Sequence, residues 1–369
     1  MAPAVTIATN DNVLVGDYKE ISHGPKAFNK DVEIKGADGH APAAYPHYLP
    51  TWVGDKSYPP LTPFEHTEHA LSADPAFPSL LPPHVELAHL SPKFGTEVRG
   101  IQLSSLTNAG KDELALFVAQ RGVVAFRDQD FADLPIEKAL EFGGYFGRHH
   151  IHPSSGQPKG YPEIHLVHRG AGEAVEASVL ESRTSSVAWH SDVTYEVQPP
   201  GTTFLYALDI PKTNGDYSGG DTAFVSQVEA YNRLSEPFKQ RLEGLTAIHS
   251  GHEQADLARR KGGVVRREPV ANEHPIVRTH PATGKKALFI NPQFTRHIVG
   301  FKKEESDALL KFLYDHIAYG LDFQIRVKWE PKTVVVWDNR VTAHSALLDW
   351  DDGGRRHLAR ITPQAERPF

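Results

Sequence analysis

The chain has 369 residues, 40% of them hydrophobic and 23% charged, with a formal net charge of −7. Such a composition is that of a globular protein with a large core, built as two domains or as one large domain with an extension. It contains no Cys, which excludes disulfide frameworks, thiolate zinc sites, iron–sulfur ligation and catalytic thiols, and its scattered Lys and Arg offer no basic footprint for nucleic acid.

The N-terminus lacks the basic start and apolar run of a signal peptide, no apolar stretch approaches the ~18 residues of a spanning helix, and the C-terminus carries no lipidation or peroxisomal signal. A cytoplasmic protein without membrane contact is expected. Residues 1–84 are rich in Pro, His and Tyr, as in Tyr45-Pro46-His47-Tyr48-Leu49-Pro50, and show neither helical nor alternating period. They read as an extended arm whose aromatic residues, Trp52 and Phe64 among them, anchor it by ordered packing or by contact in a homo-oligomer. From residue 85 to 369 the texture changes. Strands are expected at Val123–Phe126, Glu163–Val167, Thr202–Tyr206, Ala287–Ile290, Phe323–Trp329, Thr333–Trp337 and His357–Thr362, and helices at Lys111–Gln120, Pro135–Phe146, Val228–Leu242 and Glu304–Tyr319. Many short strands with few helices argue for a mainly β fold, a double-sheet jelly roll (double-stranded β-helix) decorated by helices. No G-x-G-x-x-G or P-loop pattern gives nucleotide chemistry a foothold.

With thiolates absent, the 21 His are the place to look for metal ligands. His66-Thr67-Glu68-His69 and His84-Val85-Glu86 lie in or beside the arm, where nothing rigid is expected to hold two ligands, and read as surface or packing residues. His149-His150-Ile151-His152 is a further short spacing. His190-Ser191-Asp192 differs because both flanks are β-compatible, so its two outer side chains would point to one face of an extended segment. A third ligand is available in His344, which follows the buried run Val334–Trp337, a polar turn at Asp338-Asn339 and the start of another strand. Two imidazoles and a carboxylate with open positions suit a non-haem iron(II) oxygenase, and a zinc hydrolase is the metal competitor. Beyond His344, Arg356 and Arg360 would share one strand face about 13 Å apart. Two inward arginines are costly unless each meets an anion; the alternative is an exposed edge strand with solvated Arg.

The runs Trp189-His190-Ser191-Asp192-Val193-Thr194, Gly219-Gly220-Asp221-Thr222 and Trp337-Asp338-Asn339-Arg340-Val341-Thr342-Ala343-His344, with Arg356 and Arg360, resemble the taurine dioxygenase (TauD-like) family of iron(II)/2-oxoglutarate enzymes, and more narrowly its fungal sulfonate dioxygenase branch. The resemblance runs from about Leu87 to Ile361. It implies iron(II) on His190, Asp192 and His344, and the distal carboxylate of 2-oxoglutarate on Arg356 and Thr222. Dioxygen is the other co-substrate it implies, and it places the substrate anion on Arg360 and His152 beside Val193 and Phe294. Taken alone, His152 reads as a capped loop histidine and Thr222 as a turn threonine. The implied activity is hydroxylation of a small sulfonate at the carbon bearing sulfur, releasing sulfite and an aldehyde with succinate and carbon dioxide. A carboxylate or sulfate ester as substrate and a non-catalytic metal-binding jelly roll are the alternatives. The chain departs from the family at Ser185 and Ser186, where amide and carboxylate groups would grip taurine's ammonium, and at Ser155, where an aromatic contact is expected. A turn at 214–218 looks inserted ahead of Thr222.

Overall fold

A computed structural model of the chain describes residues 32–33, 42–54, 56–170, 183–212, 215–217, 219–350 and 354–369. Its strands, in chain order, are β1 (Val32–Glu33), β2 (Thr51–Trp52), β3 (Glu86–His89), β4 (Thr96–Arg99), β5 (Val123–Phe126), β6 (Ile164–Arg169), β7 (Thr202–Asp209), β8 (Thr222–Ser226), β9 (Thr246–Ser250), β10 (Ala271–Pro275), β11 (Val277–Thr279), β12 (Lys286–Leu288), β13 (Thr295–Ile298), β14 (Gln324–Val327), β15 (Val334–Asp338), β16 (Thr342–Ala346) and β17 (Arg356–Ile361). Six α-helices are described: α1 (Asn108–Arg121), α2 (Ile136–Gly144), α3 (Gln227–Asn232), α4 (Glu236–Leu242), α5 (His252–Arg260) and α6 (Lys303–Tyr319). None is long and apolar enough to cross a membrane.

A seven-stranded sheet in the order β3-β4-β5-β15-β7-β17-β6 is antiparallel apart from the β4–β5 pair, and a three-stranded sheet β14-β8-β16 faces it. The central strand β15, Val334-Val335-Val336-Trp337-Asp338, is apolar without alternation from Val334 to Trp337 because both of its faces are buried. Val334 and Val336 pack with Phe117, Val118 and Phe142 of α1 and α2 on one side. Val335 and Trp337 meet Leu205, Leu358 and Phe224 between the two sheets. The outer side of the smaller sheet is covered by α3 and α6 through Val225, Tyr231 and Leu313. A further sheet, β10-β9-β13, lies alongside.

Helix ends follow local chemistry. Thr107 caps α1 by accepting the Gly110 N–H at 3.3 Å, and Gly122 ends it at φ +74°, where a Cβ would stand 2.4 Å from Phe94. The single helix expected over Val228–Leu242 is two. Pro237 lacks an N–H and is tolerated only in a first turn, so the chain breaks after α3 and restarts as α4 with Pro237 near its beginning. Residues 42–54 and 56–84 lie on the body: the Tyr206 hydroxyl donates to that of Tyr48 at 3.0 Å, and the Arg148 guanidinium stacks on Phe64 at 4.3 Å.

Candidate active site

His344 sits on β16 opposite Phe224 of β8, so its ring points between the sheets, 5.0 Å from the ring of Trp337 and 5.7 Å from that of Phe224. His190 pairs with it by two backbone hydrogen bonds of 3.0 and 2.7 Å, which brings the ring centroids to 4.3 Å. The extended segment expected around His190 is confined to this one bridge. The chain then turns, with Val193 at φ +36°, and the turn rather than strand alternation delivers Asp192 to the same face. Asn339 holds it there: its Oδ1 accepts the Asp192 N–H at 2.9 Å and its Nδ2 donates to Asp192 Oδ2 at 3.2 Å. Asp192 Oδ1 lies 4.0 Å from His190 Nε2 and 3.8 Å from His344 Nε2, and the three ligand atoms are all within 4.8 Å of one another.

The protonation states suit a metal ion. His190 Nδ1 donates to the Ala188 carbonyl at 2.9 Å, which leaves the lone pair on Nε2, the nitrogen aimed at Asp192. Burial lowers the pKa of both imidazoles, of His344 strongly, so they are neutral at pH 7. Burial would raise that of Asp192, but the Arg360 guanidinium bonded to it outweighs burial and keeps the carboxylate ionised. Two neutral imidazoles and one anionic oxygen form a donor set that could hold a divalent cation. A second His/carboxylate group, His66, Glu68 and Glu366, also converges. There the carboxylates are taken by guanidinium groups: Arg340 binds both Glu68 and Glu366, and Arg278 binds Glu366 at 2.5 Å. Glu68 is thus rigidly held, contrary to the expectation for the arm, but by ion pairing inside the protein.

On β17, Arg356, Leu358 and Arg360 share the inner face, with Leu358 in the cluster between the sheets. Arg356 is 3% exposed; its Nε donates to the Gly220 carbonyl at 2.9 Å and its guanidinium lies over the ring of Trp350. Burial, with Arg169 adding repulsion, brings its pKa down to about 10, which leaves it charged. Thr222 lies on β8 rather than in a turn, buried, with its Oγ1 accepting from Trp329 Nε1 at 3.1 Å. Arg360 Nη1 donates to Asp192 Oδ1 at 2.7 Å and Nη2 to His165 Nδ1 at 2.9 Å, while its buried Nε has no protein partner. His152 does have a capped-loop contact, its Nδ1 accepting the N–H groups of Ser154 and Ser155 at 3.2 and 3.1 Å, and its ring stands 4.5 Å from that of His165. Phe294 is 6.4 Å from the His190 ring and packs with Val193 and Tyr195. Ser155 is buried beside His152, whereas Ser185 is exposed and accepts the Val187 N–H at 3.1 Å. The turn at 214–218 lies partly outside the described residues. Two contributors escape sequence reasoning, Asn339 and His165. Asn339 stands in the expected polar turn; His165 is visible only through the β6–β17 register.

A family model described as the taurine catabolism dioxygenase TauD, TfdA family matches residues 86–362, which include His152, His165, His190, Asp192, Thr222, Asn339, His344, Arg356 and Arg360. The chain belongs to the TauD/TfdA family. It is 47% identical over 328 residues to the alpha-ketoglutarate-dependent sulfonate dioxygenase of Saccharomyces cerevisiae, covering 88% of this chain and 78% of that protein. It is 28% identical to an alpha-ketoglutarate-dependent sulfate ester dioxygenase of Pseudomonas putida, covering 75% of this chain and 88% of that one. Among solved structures, a taurine dioxygenase from Burkholderia xenovorans superposes with a TM-score of 0.61 at 30% identity, covering 78% of this chain and 93% of that one. The TauD/TfdA family resemblance carried by the motifs around His190, Thr222 and His344 is thereby borne out.

Proposed function

We propose that the protein is an iron(II)- and 2-oxoglutarate-dependent dioxygenase acting on an organic sulfonate. The observation that carries this reading is the convergence of His190, Asp192 and His344 between two sheets, flanked on one strand face by Arg356 and Arg360. His190, Asp192 and His344 would hold the iron, and Arg356 with Thr222 would hold the distal carboxylate of 2-oxoglutarate through a charge-assisted contact and a hydroxyl. Arg360 and His152 would hold the sulfonate, with Val193 and Phe294 packed beside it. The iron supplies activation of dioxygen: one oxygen atom goes to succinate as 2-oxoglutarate loses carbon dioxide, the other to the carbon bearing sulfur. The resulting hydroxysulfonate expels sulfite as its C–S bond breaks and an aldehyde forms. The protein's own residues position the carbon and exclude water, the task of the aromatic wall of Phe224, Trp337 and Phe294.

In this reading the two sheets are the double-stranded β-helix core, residues 85–369 form the catalytic unit and residues 1–84 an N-terminal arm, of which the described segments 42–54 and 56–84 are laid on it. The similarity to a sulfate ester dioxygenase makes a sulfate ester the second substrate reading, because Arg360 selects an anion and not carbon-bound sulfur. A panel of sulfonates, sulfate esters and carboxylates, read by succinate formation with sulfite and sulfate measured in parallel, tests both. Sulfite in step with succinate is the expected result; sulfate in its place moves the enzyme to esters.

A further inference from the structure

We propose that His165 is a positioning residue for the anion-binding arginine, a step that rests on the proposed role of Arg360. In the β6–β17 ladder, Arg360 is the cross-strand partner of His165, as Leu358 is of Val167, so both side chains project from the same face of the sheet. Arg360 spreads its guanidinium between two acceptors, Asp192 Oδ1 on Nη1 at 2.7 Å and His165 Nδ1 on Nη2 at 2.9 Å. Because a guanidinium only donates, the His165 Nδ1 must be the unprotonated nitrogen and its proton must sit on Nε2. The two contacts pull opposite ends of the guanidinium and set its plane, and they leave the buried Nε–H without a protein partner.

Without the Nδ1 acceptor, the geometry that satisfies most donors is a fork of Nη1 and Nη2 onto both oxygens of Asp192, as Arg and carboxylate commonly pair. That fork would turn the guanidinium away from the substrate and compete for the carboxylate that the metal needs. His165 therefore acts through Arg360, keeping it singly bonded to Asp192 and aimed at the anion. The requirement is for an acceptor at the Nδ1 position, which Asn reproduces with its Oδ1 and Gln, whose amide reaches the Nε2 position, does not.

The test compares wild type, His165→Asn, His165→Gln and His165→Leu, each with its thermal midpoint measured. Steady-state KM for 2-oxoglutarate and for the best anion of the panel is determined, together with calorimetric affinity for that anion under anaerobic conditions with Mn(II) and 2-oxoglutarate. The expected result is an anion KM and dissociation constant raised at least tenfold in the Leu and Gln variants and within about threefold of wild type in the Asn variant, with the KM for 2-oxoglutarate unchanged in all. Equal anion affinity in wild type and the Leu variant, or loss in the Asn variant as large as in the Leu variant with thermal midpoints alike, would overturn the role of His165. If wild type turns over an anion other than a sulfonate, the proposed substrate falls and the same comparison on that anion still decides His165.

Discussion

On the proposed reading each group at the site has a separate job and should fail in its own way. His190→Ala, Asp192→Ala or His344→Ala removes one of three donors and should abolish metal binding and turnover while leaving the thermal midpoint near wild type; an iron or Mn(II) titration reads the first directly. Asn339 acts on the site through Asp192, to which it makes two hydrogen bonds. Asn339→Ala should weaken metal binding about 10- to 100-fold, the usual cost of losing an outer partner of a ligand. If Arg356 holds the distal carboxylate as proposed, Arg356→Ala removes a charge-assisted contact of about 2–4 kcal/mol, so the dissociation constant of 2-oxoglutarate should rise about 30- to 1000-fold, with the anion's affinity much less affected. A mutant that keeps wild-type 2-oxoglutarate affinity would show that another cation holds the distal carboxylate.

Between elements, the turn that leads into β8 is what aims Arg356. Gly220 has φ +66° and offers its carbonyl to Arg356 Nε, and a Cβ there would lie 3.2 Å from that same Nε and from the Trp350 ring. Gly220→Ala should therefore push the guanidinium aside and raise the KM for 2-oxoglutarate several-fold without changing metal affinity, a split that separates it from the ligand mutants. The same turn shows where sequence reading reached and where it stopped. The runs Val334–Trp337 and His357–Thr362 were legible as strands because burial on both faces demands unbroken apolar or inward-facing residues. Strand β8 was not, since Gly219-Gly220-Asp221 stand just before Thr222 and read locally as turn. Strands β3, β4, β9, β10 and β13 are short and partly polar, and only their neighbours in the sheets define them. Helix α5, Gly-capped and rich in charge, carries too few apolar positions to announce itself. The three metal-ligand candidates were legible by donor type, but Asp192 reaches its place through a turn at Val193, and the contributions of Asn339 and His165 arise only from tertiary pairing.

Across the whole molecule, the turn after β15 couples the site to a buried ion network. Asn339 holds Asp192, while its neighbours Asp338 and Arg340 join Glu68 of the 42–84 segment, Glu366 near the C-terminus, Arg278 and His280. Arg340 is 2% exposed and binds three carboxylates, so removing one partner leaves a buried charge under-compensated. Burial would raise the pKa of Glu68, but Arg340 outweighs it and holds the carboxyl at about 2; Asp338 and Glu366 are lowered in the same sense. A carboxylate depressed in the folded state contributes stability that is complete above its unfolded value, about 4.3, and is lost as pH falls toward its folded value. For Glu68 that contribution is about 3 kcal/mol at pH 7. Glu68→Gln should accordingly be less stable than wild type by about 3 kcal/mol in urea denaturation at pH 7, and the difference should shrink by about half at pH 3, where wild-type Glu68 is itself losing the advantage of its charge. A difference that stays the same at both pH values would mean that the mutation acts through lost packing, and that the network ties the 42–84 segment to the turn behind Asp192 by shape and not by charge.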